Sequence, residues 1–213
     1  MEILNIWSLV IILVLFLLII YFIWEWDSLT YGMTELFTDE LVGLPTSNTN
    51  LKRIRQILKE ENIDTHRMTL IDFGCGKGDI LIGLSNDFKR LIGIELNTKL
   101  ARIAKKRCRN VANIRIHAND ILDYKFRERP TILYVYEPLW QLPRDTADKI
   151  YHKVIKRLEK IKNFPIYIVY LTGLKRSDLV PILKNSNFEL IRREALGIYP
   201  YRDLYIYFLD KSK

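Results

Sequence analysis

The chain has 213 residues, 49% of them hydrophobic and 27% charged, which suits one folded domain of ordinary size and excludes a disordered polypeptide. Two cysteines, Cys75 and Cys108, exclude a disulfide framework, and the lack of C-x-x-C and H-E-x-x-H spacings among them and His66, His117 and His152 argues against a zinc site. The net charge of +8 averages two unlike regions: residues 1–50 hold six acids and no Lys or Arg, whereas residues 51–213 hold all 33 basic residues against 19 acids.

Ile3 to Trp24 runs for 22 residues without a charge, with Asn5 and Ser8 the only polar side chains. At about 1.5 Å per residue such a helix reaches roughly 33 Å, enough for a hydrocarbon core of ~30 Å. Trp7 near one end and Tyr21, Trp24 and Trp26 near the other stand where aromatic rings favour the membrane interface. Two alternatives stand beside a membrane anchor. A cleaved signal peptide carries an early positive charge and a small-residue cleavage site, whereas this run has no early Lys or Arg and ends in Ile-Trp-Glu-Trp-Asp. A buried core helix shows a polar face. The expectation is one transmembrane helix at 3–24, an acidic linker at 25–46 ending in Gly43-Leu-Pro45, and a domain at 47–213. Neither flank carries the basic residues that would set its orientation.

Thr46-Ser-Asn-Thr-Asn50 is rich in helix-capping residues, and Leu51, Ile54, Ile57 and Leu58 follow at helical spacing, predicting a helix over 47–61. Apolar runs then alternate with amphipathic stretches. Strands are predicted at Thr69–Phe73, Leu91–Glu95, Ile114–Ala118, Thr131–Tyr136, Ile166–Leu171, Phe188–Arg192 and Leu204–Leu209. Helices are predicted at 79–87, 97–109, 145–161 and 175–185. This alternation predicts an α/β fold, a doubly wound and mostly parallel sheet of seven strands. Only a loop joins the last two strands, so the last strand is expected to run antiparallel.

The segment Thr69-Leu-Ile-Asp72-Phe73-Gly74-Cys75-Gly76-Lys77-Gly78 takes a strand through an acid into three glycines. Glycines there allow a sharp turn and close approach of a ligand to the backbone. It is not a Walker A loop, and its third glycine comes one residue early for a dinucleotide fingerprint. Acid-x-G-x-G-x-G closely resembles the motif of class I S-adenosylmethionine (SAM) methyltransferases. The resemblance implies a Rossmann-like methyltransferase fold, with Asp72 contacting the methionine moiety and Phe73, Gly74, Cys75, Gly76 and Gly78 forming the cofactor-facing turn. Glu95, 23 residues after Asp72, would accept from both ribose hydroxyls, with Leu96 beside it. Asp120 would accept from the adenine amino group, with Ile121 against the ring.

The fourth strand ends in Glu137-Pro138-Leu139-Trp140. Amino-group methyltransferases often carry [DNS]-P-P-[YFW] at this place, and the sequence matches at Pro138 and Trp140 but departs at Glu137 and Leu139. Glu137, Pro138 and Trp140 are therefore the catalytic candidates. The structural alternative is that Glu137 caps the following helix and Trp140 packs on the linker. The layout of anchor, Pro45-Thr46-Ser47 and glycine motif also resembles single-pass lysine methyltransferases of the ATP synthase c-subunit type. That resemblance implies a protein amine as acceptor, ahead of a lipid or small molecule and then nucleic acid. It also implies a catalytic domain on the cytosolic or mitochondrial-matrix side of a membrane.

Lys99, Arg102, Lys105, Lys106, Arg107 and Arg109 crowd one predicted helix, and Lys153, Lys156, Arg157, Lys160 and Lys162 another. Such faces contact anionic lipid headgroups or nucleic-acid phosphates, or are simply solvated. A rival of another class is a SAM-binding membrane scaffold without catalysis.

Overall fold

The computed structural model describes residues 13–16, 48–139, 141–172, 179–196 and 203–210. Contacts divide the chain into two units, Met1–Pro45 and Thr46–Lys213. In the first, residues 13–16 are helical and Leu13, Val14, Leu15 and Phe16 are exposed. The rest of the expected membrane span at 3–24, and the linker at 25–46, lie outside the described residues. Among the described residues no helix is long and apolar enough to cross a membrane.

The second unit is a seven-stranded sheet. In chain order its elements are α1 (Asn48–Glu60), β1 (Thr69–Phe73), α2 (Asp79–Gly83), β2 (Arg90–Glu95), α3 (Thr98–Cys108) and β3 (Ile114–Ala118). Then come β4 (Thr131–Tyr136), α4 (Arg144–Leu158), β5 (Ile166–Leu171), α5 (Leu179–Lys184), β6 (Glu189–Ala195) and β7 (Asp203–Leu209). The spatial order is β3-β2-β1-β4-β5-β7-β6. Strands β3, β2, β1, β4 and β5 pair in parallel, whereas β7 runs antiparallel to both β5 and β6. That is the predicted architecture, including the reversed last strand.

The central strands are near-continuous apolar runs because both sheet faces are covered. All five residues of β1 are buried. Alternate side chains go to opposite faces. Ile71, Phe73, Leu133 and Val135 face a core closed by Tyr151, Val154 and Leu158 of α4 and by Leu179 and Leu183 of α5. Leu70, Leu91, Ile132 and Val169 face a second core closed by Ile54, Ile57 and Leu58 of α1 and by Ile80 and Leu81 of α2. An ion-pair network holds α1 to the sheet edge: Arg53 pairs with Glu194, and Arg192 with Glu60, Glu61 and Glu194 at 2.7–3.1 Å.

Several boundaries differ from the sequence reading, among them the helix over 145–161, which ends at Leu158, and two more that tertiary contacts accompany. The helix expected over 79–87 stops at Gly83, and donors elsewhere in the chain bond the carbonyls at and beyond its end. Arg55 donates to the Gly83 carbonyl, and Asn113 Nδ2 donates to the carbonyls of Ser85 and Phe88 at 2.8 and 2.9 Å. The strand expected over Phe188–Arg192 is Glu189–Ala195. Phe188 is buried in the core, and pairing with β7 carries the strand to Ala195, across an irregularity between Leu190 and Arg192.

Candidate active site at the strand tips

Parallel strands bring their carboxyl ends to one rim, and the crevice outside that rim is where ligands bind open α/β sheets. Among the described residues, the buried charged side chains are Asp72, Glu95 and Glu137, with 4%, 8% and 3% of their surface exposed. They stand at the ends of β1, β2 and β4, three adjacent strands. Burying a carboxylate is costly without a compensating cation or hydrogen bonds. Three at one rim make it the acidic end of the sheet.

The turn after β1 is held by the neighbouring strand. Gly74 and Cys75 donate backbone N–H bonds to the Ile94 carbonyl at 2.9 and 3.2 Å, and Gly76 N–H donates to Glu95 Oε2 at 2.9 Å. Gly74 has φ of +83°, and a Cβ there would stand 2.5 Å from Pro138 Cβ. Only glycine meets both conditions, and its use here brings the turn against the loop after β4. Gly78, at φ of +85°, lets α3 approach: a Cβ there would lie 3.1 Å from Cys108 Sγ. The side chains of Phe73 and Cys75 turn away into the two cores, Phe73 edge-on to Tyr151 at 6.0 Å, so their backbone alone is left for the turn. Burial pushes the Cys75 thiol well above its usual range, which leaves it an inert packing group.

Glu95 is fixed from two sides. Gly76 N–H bonds one oxygen, and Asn97 N–H bonds the other at 2.8 Å. Each oxygen keeps a lone pair, so the oriented carboxylate still accepts from two hydroxyls. Asn97 then caps α3, its Oδ1 accepting from Lys99 and Leu100 N–H at 2.9 and 3.2 Å. Leu96, between these two, is 69% exposed, an apolar side chain left outside the core.

Asp72 is the acid whose proton affinity is most changed. Burial first, then the charges of Glu95 and Asp79, push its carboxyl up from 3.8 to about 8. A cation placed there reverses the shift.

The loop after β3 carries Asp120 and Ile121. Asp120 Oδ1 accepts from Leu122 N–H at 2.8 Å, and Ile121 is buried. Asn119 N–H donates to the Glu95 carbonyl at 3.1 Å, joining this loop to the tip of β2. Arg157 of α4 clamps it from below, donating to the carbonyls of Ile121 (3.2 Å), Leu122 (2.5 Å) and Tyr124. Sequence reasoning counted Arg157 and Arg107 among surface basic runs. In the structure both bond the two loops that border the site, Arg157 from a half-buried position and Arg107 from an exposed one.

Glu137 follows β4 with φ of +44°, a left-handed conformation uncommon for a residue with a side chain. The next helix, α4, begins after Pro143. Pro138 touches the Gly74 position, and Leu139 packs against the α4-side core. Trp140 lies outside the described residues.

The rim thus brings together Asp72, the glycine turn, Glu95, Leu96, the Asp120–Ile121 loop, Glu137 and Pro138. These residues fit a ligand with a cationic centre, two vicinal hydroxyls and a flat ring.

Known proteins point the same way. A family model described as a methyltransferase domain matches residues 70–160. An rRNA adenine N-6-methyltransferase of Limosilactobacillus reuteri is 26% identical over 107 residues, covering 50% of this chain and 42% of that protein. An uncharacterised RNA methyltransferase of Prochlorococcus marinus is 27% identical over 175 residues, covering 79% of this chain and 38% of that one. The chain spans about two fifths of the length of these relatives. The fold is also that of the N-methyltransferase NodS from Bradyrhizobium japonicum in complex with S-adenosyl-L-homocysteine, with a TM-score of 0.61 and 18% identity over 84% of this chain and 98% of that one. With the acid-x-G-x-G-x-G turn, the acidic tip of β2 and the reversed seventh strand in place, residues 70–160 match the methyltransferase domain, and the chain shares the fold of these methyltransferases.

Proposed function

We propose that this protein transfers a methyl group from SAM to an amine nitrogen, that of a protein lysine, while its apolar N-terminal segment holds it at a membrane. The three buried carboxylates on adjacent strand tips carry the reading. Bound SAM supplies a methyl group already electrophilic on its sulfonium. Asp72 and the glycine turn hold the methionine end, Glu95 the ribose, and Asp120 with Ile121 and Leu96 the adenine. That leaves Glu137 and Pro138, on the β4 side of the turn, for the acceptor, together with Trp140.

Glu137 has the chemistry an amine acceptor needs. Its carboxylate accepts an N–H bond from the amine, orients the nitrogen lone pair and balances the positive charge that develops as the N–CH3 bond forms and the S–CH3 bond breaks. A lysine must arrive neutral or lose its proton at the site, and a buried carboxylate is a suitable acceptor for that proton. A carboxylate suits a cationic amine better than the neutral amide-like edge of a nucleobase.

The uncharged run Ile3–Trp24 and the exposed apolar side chains of its residues 13–16 support the anchor at 3–24, with 25–46 as a linker to the domain at 47–213. The catalytic domain then lies on a side supplied with SAM, cytosol or mitochondrial matrix. The anchor raises the local concentration of membrane-associated acceptors, and the basic helices suit contact with anionic lipid.

A second reading, methylation of an RNA amine, is favoured by the names of the two relatives and by the 33 basic residues confined to 51–213. Incubation of the full chain with methyl-labelled SAM and a membrane extract, fractionated into protein, lipid and RNA, separates the readings. Label in lysine of membrane protein is expected. Label in RNA alone supports the second reading, and label in no fraction supports a SAM-binding scaffold.

A further inference from the structure

Arg107 stands in the last turn of α3 and reaches the glycine turn. Its Nη1 donates to the Lys77 carbonyl at 3.0 Å, and its Nη2 lies 2.6 Å from Asp79 Oδ1. Lys77 and Asp79 flank Gly78, and the helix packs closely there: a Cβ on Gly78 would meet Cys108 Sγ at 3.1 Å and Ala104 Cβ at 3.6 Å. Neighbouring basic residues behave differently. Lys99, Arg102, Lys105 and Lys106 take part in none of the ion pairs found among the described residues.

We propose that Arg107 is a positioning residue for the cofactor: it pins the glycine turn at Lys77 and Asp79, and so sets the affinity for SAM without touching it. The inference rests on the reading of this turn as the cofactor site.

Two physical reasons support it. The turn has three glycines at positive φ, and α2 after it is only five residues long, too short to hold its own shape. Its geometry must come from tertiary contacts. A guanidinium offers a rigid fork that bonds a carbonyl and a carboxylate together, which an ammonium does less well. The second reason is charge. Asp72 faces Glu95 on β2, Asp79 on α2, the Cys75 thiol in the turn, and Tyr134, its register partner on β4. The Asp79 charge opposes ionisation of Asp72. Arg107 beside Asp79 offsets that charge, and so favours the carboxylate that a cationic cofactor requires.

The test is titration calorimetry of the full chain in detergent with SAM between pH 6 and 9. The variants are R107Q, R107K, D79N and R107Q/D79N, each with its unfolding temperature. R107Q should weaken SAM binding roughly tenfold, the worth of one charge-assisted bond, with an unfolding temperature near wild type. R107K should recover part of the loss. The pH midpoint of SAM affinity should rise by roughly half a unit in R107Q and return in R107Q/D79N, where the opposing charge is gone. Unchanged affinity in R107Q overturns the proposal. So does a loss that only follows a fall in unfolding temperature, with the pH midpoint unmoved. A wild-type chain that does not bind SAM refutes the reading of the turn, whereas binding by wild type and R107Q alike refutes the role of Arg107 alone.

Discussion

Replacing Asp72 by Asn keeps the shape of the side chain and removes its ionisation. In the folded domain burial, Glu95 and Asp79 raise the Asp72 carboxyl from 3.8 to about 8. Between those two values the folded state holds a proton that the unfolded chain has released. Stability contributed by that proton is complete below pH 4 and is lost as pH rises through 8. Four units correspond to roughly 5 kcal/mol. In a domain of this size each kcal/mol moves the midpoint by about 2–4 °C, so the pH-dependent part amounts to on the order of 10 °C. The assay is thermal unfolding of the full chain in detergent, wild type against D72N, from pH 5 to 8.5, read as the difference between the two so that other titrating groups cancel. Wild type should lose stability relative to D72N as pH rises, and D72N should be the more stable above pH 8. The same variant should bind SAM poorly at every pH. Below pH 8, SAM binding to wild type should release about one proton, visible as a dependence of the binding heat on buffer ionisation. A difference curve flat from pH 5 to 8.5, with no proton released on binding, would show that Asp72 is ionised in the free domain and that the buried-acid reasoning is wrong.

Three other changes test the remaining parts of the site. G74A places a Cβ 2.5 Å from Pro138 Cβ at φ of +83°; it should cost roughly 2–4 kcal/mol and abolish measurable SAM binding, and a well-folded variant with wild-type affinity would contradict the packing of the two loops. E137Q should lower kcat roughly 100-fold with SAM affinity within about twofold of wild type; full turnover would move Glu137 from catalysis to structure. R157Q removes the donor to the carbonyls of Ile121, Leu122 and Tyr124, so amide exchange at 119–124 should quicken and SAM affinity fall roughly tenfold. Exchange confined to wild-type rates would mean that the loop holds its shape unaided.

The buried acids also show how one rim serves two partners. Asp72 and Glu95 border the glycine turn from β1 and β2, where the backbone of one strand fixes the tip of the next. Glu137 stands across the turn, at the end of β4, where Pro138 fills the space that Gly74 leaves open. The proposed division into cofactor and acceptor sides follows the strand order β2-β1-β4.

Local chemistry made much of this readable from the amino acids. Apolar runs buried on both faces must be interior strands, and so β1, β4 and β5 have the predicted limits. A loop too short for a crossover forces β7 to reverse. An acid before three glycines announces the turn, since no other residue type takes those backbone angles cheaply. What depends on distant partners was not readable. The end of α2 meets Arg55 and Asn113, residues before and after it in the chain, which bond the carbonyls at and beyond it. The length of β6 is set by its pairing with β7. Arg107 and Arg157 look like members of solvated basic runs, and only packing turns them onto Lys77, Asp79 and the loop after β3. The raised carboxyl of Asp72 is likewise a property of enclosure. One acid in a sequence has an ordinary proton affinity; the same acid out of water, beside two other negative charges, does not.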